Sequence, residues 1–236
     1  MDLKVRFRGT YFGVLWVLLA LAFKVIMISV VFSLVLNKPL KEYLLFLSIG
    51  LFTWNYISAL LVASTQTFVK AVNYFNQMKM EHFIFVFQTV YRETIILMLY
   101  QILAIPLFVL YFGGFKLIWL WSLLGYFLII LNGVFAGAWI GWAATRFRDI
   151  QQLTSNLVMI LFIVTPVLFP LPIGNEHHIY FLVNPFFHLL EIVRAPVLDG
   201  EVPYISYIIS FGLVIFNALI CAIFYKRVKS QLVLWL

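Results

Sequence analysis

The sequence predicts an all-α integral membrane protein with six transmembrane helices, and three observations predict it. The 236 residues are 64% hydrophobic and only 11% charged, with a mean hydropathy of +1.05. Soluble chains average about 25% charged and about 45–50% apolar residues, so a soluble fold of this length cannot hide so much apolar surface. The apolar runs are long and show no strand alternation, which leaves helices, not a barrel, to satisfy the backbone in lipid. The basic residues, finally, divide unequally between alternate loops.

A span needs roughly 20 apolar residues. Six stretches qualify: Val14–Leu36, Tyr43–Phe68, Thr94–Phe112, Lys116–Thr145, Leu153–Leu171 and Tyr204–Tyr225. The fourth is long enough to tilt. With both termini in the cytoplasm, the inner segments hold eleven Lys and Arg and the outer segments four (Lys38, Lys41, Lys116 and Arg194), with Lys24 inside the first span. Basic residues collect on the cytoplasmic side, so the bias sets this orientation and accounts for the net charge of +7 without nucleic acid. The first apolar run is longer than a signal-peptide core and no small-x-small site closes it, so it reads as a retained span.

Ahead of that span, Leu3, Phe7, Tyr11 and Val14 recur at helical spacing, with Lys4, Arg6 and Arg8 elsewhere on the wheel. Two readings stand: an interfacial amphipathic helix over 1–13, or a basic flank that sets topology. The chain otherwise reads as a single transmembrane domain over 1–236. Its longest inner loop runs over 69–93 and its longest outer segment over 172–203.

Several chemistries have no motif here. No G-x-x-x-x-G-K-[ST] occurs, so no P-loop cradles ATP, and neither G-x-S-x-G nor H-E-x-x-H is present. Cys221 is the sole cysteine, which excludes a disulfide framework and a cysteine-ligated metal. Glu176, His177 and His178 form the one local cluster able to ligate metal, and adjacent loop histidines are more often polar filler. All nine acids are expected in loops or at helix ends, Glu93 among them, so no intramembrane carboxylate offers an ion-coupling site. Energy for transport then has to come from elsewhere.

Lys24 is the one charge expected in mid-span. It is either a basic spot in a polar pathway or a group paired inside the bundle. Aromatic residues make up 19% of the chain; interface anchoring and packing use most of them, and a sugar-conducting path would also want them. The inner loop "NYFNQMKMEHFIF" places Tyr74, Met78 and Phe85 on one helical face, with Gln77, Lys79 and Glu81 off it. A short helix docking on a soluble partner fits this pattern, as does a plain amphipathic connector. The missing energy source favours the partner.

The outer stretch "NPFFHLLEIVRAP" has a start signal in Asn184 and Pro185. His188, Glu191 and Arg194 recur every three residues, within pairing reach, and Pro196 is expected to stop the helix. About ten residues reach roughly 15 Å, half a bilayer core. The helix either dips in from outside as a re-entrant gate, with Glu191 and Arg194 pairing, or lies on the outer surface.

Five stretches in order resemble the membrane (permease) subunit of type-two ABC exporters for polysaccharides, nearest to those of O-antigen and capsule export. They are "DLKVRFRGTYFGVLW" at Asp2–Trp16, "YRETI" at Tyr91–Ile95, "RFRDI" at Arg146–Ile150, "TPVLFP" at Thr165–Pro170 and "NPFFHLLEIVRAPVLDG" at Asn184–Gly200. Two departures stand out: no proline follows Trp16 until Pro39, and Asp199 precedes Gly200 where the family commonly has a shorter ending.

The resemblance implies a homodimer with two copies of a separate ATPase, which would hold ATP and Mg while this chain binds no cofactor and catalyses nothing. It implies a glycan built on polyprenyl pyrophosphate and a multi-pass place in the bacterial inner membrane. Arg6, Arg8, Arg146 and Arg148 would meet the lipid pyrophosphate at the inner mouth, with Asp149 beside them. Asn76, Gln77, Met78, Lys79, Glu81 and His82 would couple to the ATPase. Short re-entrant helices between spans five and six, with His188, Glu191 and Arg194, would close the channel from outside. Two other readings compete: a type-two ABC exporter of a drug or small lipid, and a membrane enzyme acting on polyprenyl-linked sugars through Asp149 or the Glu176–His178 group.

Overall fold

The computed structural model describes residues 15–72, 81–170 and 178–228. The expected interfacial helix over 1–13, with Arg6 and Arg8, lies outside the described residues, as do Asn76 to Lys79, Glu176 and His177. The described residues are helical, with no strand among them. In order they form α1 (Leu15–Val35), α2 (Leu40–Ser64), α3 (Thr67–Lys70), α4 (His82–Phe112), α5 (Trp119–Arg146), α6 (Asp149–Val164), α7 (His178–Leu182), α8 (Pro185–Leu198) and α9 (Tyr204–Val228).

Five of these, α1, α2, α4, α5 and α9, are long and apolar enough to cross a membrane. The expected fifth span is shorter than its sequence suggested. α6 has 16 residues, roughly 24 Å against the ~30 Å of a hydrocarbon core. Its end has a local cause. Pro166 crowds the residue before it out of the helical region, and Thr165 is extended at φ −90° and ψ 134°.

α4 departs in the other direction. It starts at His82, well before the expected Thr94, and runs 31 residues through Pro106 to a left-handed Gly113 at φ 73°. A glycine there ends a helix without a Cβ clash. The early start takes Arg92 and Glu93 out of the expected loop and into the helix. Glu93 is buried, and its Oε1 accepts from Arg92 Nε at 3.0 Å, with the second guanidinium nitrogen at 2.9 Å. The neighbouring Thr94 hydroxyl meets Tyr56 at 2.9 Å. Tyr56 is eight residues from the end of α2 at Ser64, so the pair sits roughly 12 Å in from that end. The expectation that every acid lies in a loop or at a helix end therefore fails at Glu93, because a local arginine neutralises it.

α5 is the hub, packing on α2, α4, α6, α8 and α9. Gly133, Gly137 and Gly141 recur every four residues and let it approach α2 and the α3 turn. A Cβ on Gly133 would fall 2.6 Å from Leu60 Cδ1, one on Gly137 2.6 Å from Ser64 Oγ, and one on Gly141 2.8 Å from the Phe68 ring. Without a hydrophobic force between helices in lipid, such close approach is what packs them. The most deeply buried large side chains include Trp142, Tyr43, Tyr56 and Phe68. α1, by contrast, packs mainly on α2 and leaves Leu19, Phe23, Ile26, Val31 and Leu34 exposed.

Candidate functional site

The outer segment is built from local signals that the sequence displays. Asn184 caps α8, its Oδ1 accepting from Phe186 N at 2.9 Å, and its Nδ2 donates to Thr165 Oγ1 at 2.9 Å. One residue thus starts α8 and ties it to the turn after α6. α8 does not lie on the protein surface. Its residues Phe187 to Leu190 and Ile192 to Pro196 are buried against α2, α5 and α9.

Pro196 does not stop the helix, which continues to Leu198. A proline inside a helix leaves the carbonyl four residues earlier without its donor. That carbonyl, Ile192 O, lies 3.0 Å from the Tyr207 hydroxyl, which it shares with the nearer Trp121 O at 2.5 Å. Gly125 makes room for it, since a Cβ there would stand 2.8 Å from Ile192 O. The end comes at Asp199 and Gly200, whose amides both reach Ala195 O, with Gly200 left-handed at φ 70°.

The expected polar row divides. His188 is 1% exposed. Its Nε2–H donates to Leu182 O at 2.8 Å, because a carbonyl only accepts, and Nδ1 meets Ser206 Oγ at 2.9 Å. Arg194 is 5% exposed and turns away from the row. Its guanidinium donates to Pro166 O at 3.1 Å and Val167 O at 3.4 Å, and stacks 4.1 Å above the Phe46 ring. Gly50 leaves the space it occupies. Arginine thereby supplies donors to carbonyls of the turn that follows α6.

No Glu191–Arg194 ion pair closes among the described residues. Glu191 is half-buried and lines an outer cavity of about 740 Å³ together with Lys38, Asp199 and Tyr204. Burial holds the Asp199 carboxyl above the usual carboxylate range, against the pull of Arg194.

At the opposite end, Arg146 closes α5, where a cation suits the helix dipole, and stacks at 5.8 Å over Phe147. Extended Phe147 turns the chain into α6, with Arg148 before its first turn and Asp149 within it. All four side chains are exposed. Of the expected coupling residues, Glu81 and His82 are described. His82 is buried in a cluster of rings with Phe68, Trp142 and Tyr225, and Glu81 Oε2 accepts from the Tyr225 hydroxyl at 3.4 Å. These rings join the ends of α4, α5 and α9 beside the inner loop.

Lys24 lies midway along α1, exposed, with its ammonium 6.0 Å from the Phe162 ring of α6. Along α6, Gln151, Gln152 and Asn156 are exposed and Ser155 half so, with Gln152 Nε2 donating to Asn156 Oδ1 at 3.3 Å. Sequence reasoning split this polar stripe by starting the span at Leu153, which left Gln151 and Gln152 outside it. It also missed Glu93, although Val86, Val90, Leu97 and Tyr100 share its face at helical spacing and are buried. The glycine spacing on α5 was equally visible.

Apolar helices of membrane-crossing length, joined by buried polar contacts, define a multi-pass membrane protein, and the motifs point to the permease class. The chain is 27% identical to an O-antigen export system permease protein RfbA of Klebsiella pneumoniae, covering 92% of this chain and 88% of the relative. It is 23% identical to the protein of that name from Myxococcus xanthus, and 24% to another from Klebsiella pneumoniae, each over 86% of this chain and 79% of the relative. No family model matches the chain. The resemblance to O-antigen export permeases thus extends far beyond the five motifs that first carried it.

Proposed function

We propose that this chain is the channel-forming membrane subunit of an ATP-driven exporter of lipid-linked polysaccharide, acting as a homodimer with two copies of a separate ATPase in the bacterial inner membrane. The three relatives are named as permeases of O-antigen export, and this sequence has no P-loop of its own. The carrying observation is the polar surface left uncovered midway along α1 and over the first two turns of α6. Lys24 on α1 and Gln151, Gln152 and Asn156 on α6 are exposed on one copy of the chain, and such groups are costly against hydrocarbon. A water-filled path enclosed by two copies removes that cost.

In this reading, ATP and Mg bind in the partner subunit, and closure of the partner pair pushes on the inner loop. The ring cluster around His82 and Trp142 passes that displacement to α5 and α9 as a rigid-body shift. Arg146 and Arg148, with Arg6 and Arg8, receive the pyrophosphate head as charge-assisted donors. α8, held by Arg194 and Asn184 to the turn after α6, closes the outer side until the bundle shifts. Sugars pass by weak, multiple contacts, because tight binding stalls a polymer.

Reconstitution with the partner ATPase tests this. ATP hydrolysis and glycan translocation should both depend on this chain, and translocation without it ends the reading. In cells, deletion should trap lipid-linked glycan inside; normal glycan with new drug sensitivity would point instead to a drug or small-lipid exporter.

A further inference from the structure

The two helices that carry the exposed polar groups, α1 and α6, are one-sided in charge. Asp149 stands at the start of α6 after two exposed arginines, Arg146 and Arg148. From Ile150 to Val164 α6 holds no charge, and α1 holds Lys24 and no acid. Lys24 lies roughly 14 Å along the helix from Leu15 and roughly 17 Å from Val35. That is too deep for a flexible four-carbon stem to bring the ammonium to either interface.

No carboxylate pairs with Lys24 among the described residues. Its ammonium is 6.0 Å from the centroid of the Phe162 ring, at the outer limit of a cation–π contact. The ring itself is fixed. Phe162 is half-buried and packs at 5.9 Å on buried Trp54, which packs at 6.0 Å on Phe186 of α8. A held aromatic ring beside an unpaired ammonium suits an acidic sugar. The C–H face of a pyranose stacks on the ring, and a carboxylate on the same sugar takes the ammonium. A neutral sugar makes only the first contact, and a bare phosphate only the second.

We propose that Lys24 sets the charge selectivity of the path, and that the exported glycan is acidic, with a sugar carboxylate in its repeating unit. This rests on the export reading above and adds the class of glycan. In the proposed dimer two ammoniums face one path, as rings of basic side chains do in anion-conducting pores. Each carboxylate is held weakly enough to leave, because the ammonium is solvated and the next repeat replaces it.

The test uses the full chain with its ATPase in vesicles, the ATPase facing outward. Two undecaprenyl-pyrophosphate-linked polymers of equal length are compared: one with glucuronic acid in every repeat, and the same polymer with its carboxyls reduced to give glucose. Translocation is read as ATP-dependent protection from periodate added outside. The acidic polymer should move roughly tenfold faster than the neutral one. Lys24→Gln should abolish this preference and Lys24→Arg should keep it. Equal rates for the two polymers in the unaltered chain overturn the proposal. So does a preference that persists in Lys24→Gln; if both polymers are then slowed alike, the ammonium serves the pyrophosphate head that they share. The comparison of polymers in the unaltered chain decides the matter if Lys24→Gln does not assemble. If neither polymer moves with ATP, the export reading itself falls, and this inference with it.

Discussion

Arg194 shows how far a residue's role can stray from its spacing. Three-residue spacing suggested a partner in Glu191, yet the guanidinium binds Pro166 O and Val167 O under the Phe46 ring. The sequence held part of the reason in Pro166, which ends α6 and turns the chain so that its own carbonyl and that of Val167 need donors, but the meeting with Arg194 across 28 residues is tertiary. Two expectations follow. Arg194→Lys, which keeps the charge but loses the fork, should cost about 2 kcal/mol, read as a lower unfolding midpoint of the purified protein. The exchange Glu191→Arg with Arg194→Glu should not rescue export over Arg194→Glu alone; rescue would mean that the two residues act as a pair.

Arg92 and Glu93 show a similar limit. Composition marks them as loop residues, and only the periodicity of the apolar positions around them puts Glu93 on the buried face of α4. Glu93 is buried and Arg92 partly exposed, so breaking the pair costs less than the ~3–5 kcal/mol of a fully buried one, and replacing both partners by apolar groups costs less still. Glu93→Leu or Arg92→Met alone should therefore lower the folded yield, and the double variant should recover much of it. Thermal unfolding in detergent measures all three; a double variant as poor as the sum of the singles would deny the pairing.

At the scale of elements, five membrane-crossing helices fall where hydropathy put them, because apolar length alone decides a span. What hydropathy misses is where local chemistry trims or extends a helix. Thr165–Pro166 shortens α6, α4 begins early enough to take in the Arg92–Glu93 pair, and α8 runs past Pro196 with Tyr207 beside its freed carbonyl. Packing of α5 on α2 depends on the glycine stripe. Gly137→Ala should destabilise the fold by about 1–3 kcal/mol through overpacking. The atom in its way is the Ser64 hydroxyl, 2.6 Å from the added Cβ, so Ser64→Ala should relieve much of that loss. An additive pair would show that the two helices do not meet there.

For the whole molecule, the sequence announced a membrane permease through composition, charge bias and five motifs, and the three O-antigen export permeases to which it is similar agree. The polar stripe on α6 was only partly legible. Gln151 and Gln152 look like loop until α6 is seen to start at Asp149, and Lys24 gains meaning only from its place opposite Phe162. In the proposed function a second copy around a shared aqueous path covers these exposed polar groups.

Thiol accessibility tests that claim most directly. In a Cys221→Ser background, a cysteine replaces Asn156 or, as a lipid-facing control, Leu110, and the complete transporter in vesicles meets a charged, water-soluble thiol reagent from the side of the ATPase. The aqueous path predicts rapid labelling at 156, slowed while glycan is being exported, and almost none at 110. Equal and negligible labelling at both positions would place Asn156 in lipid or in dry packing and contradict the path.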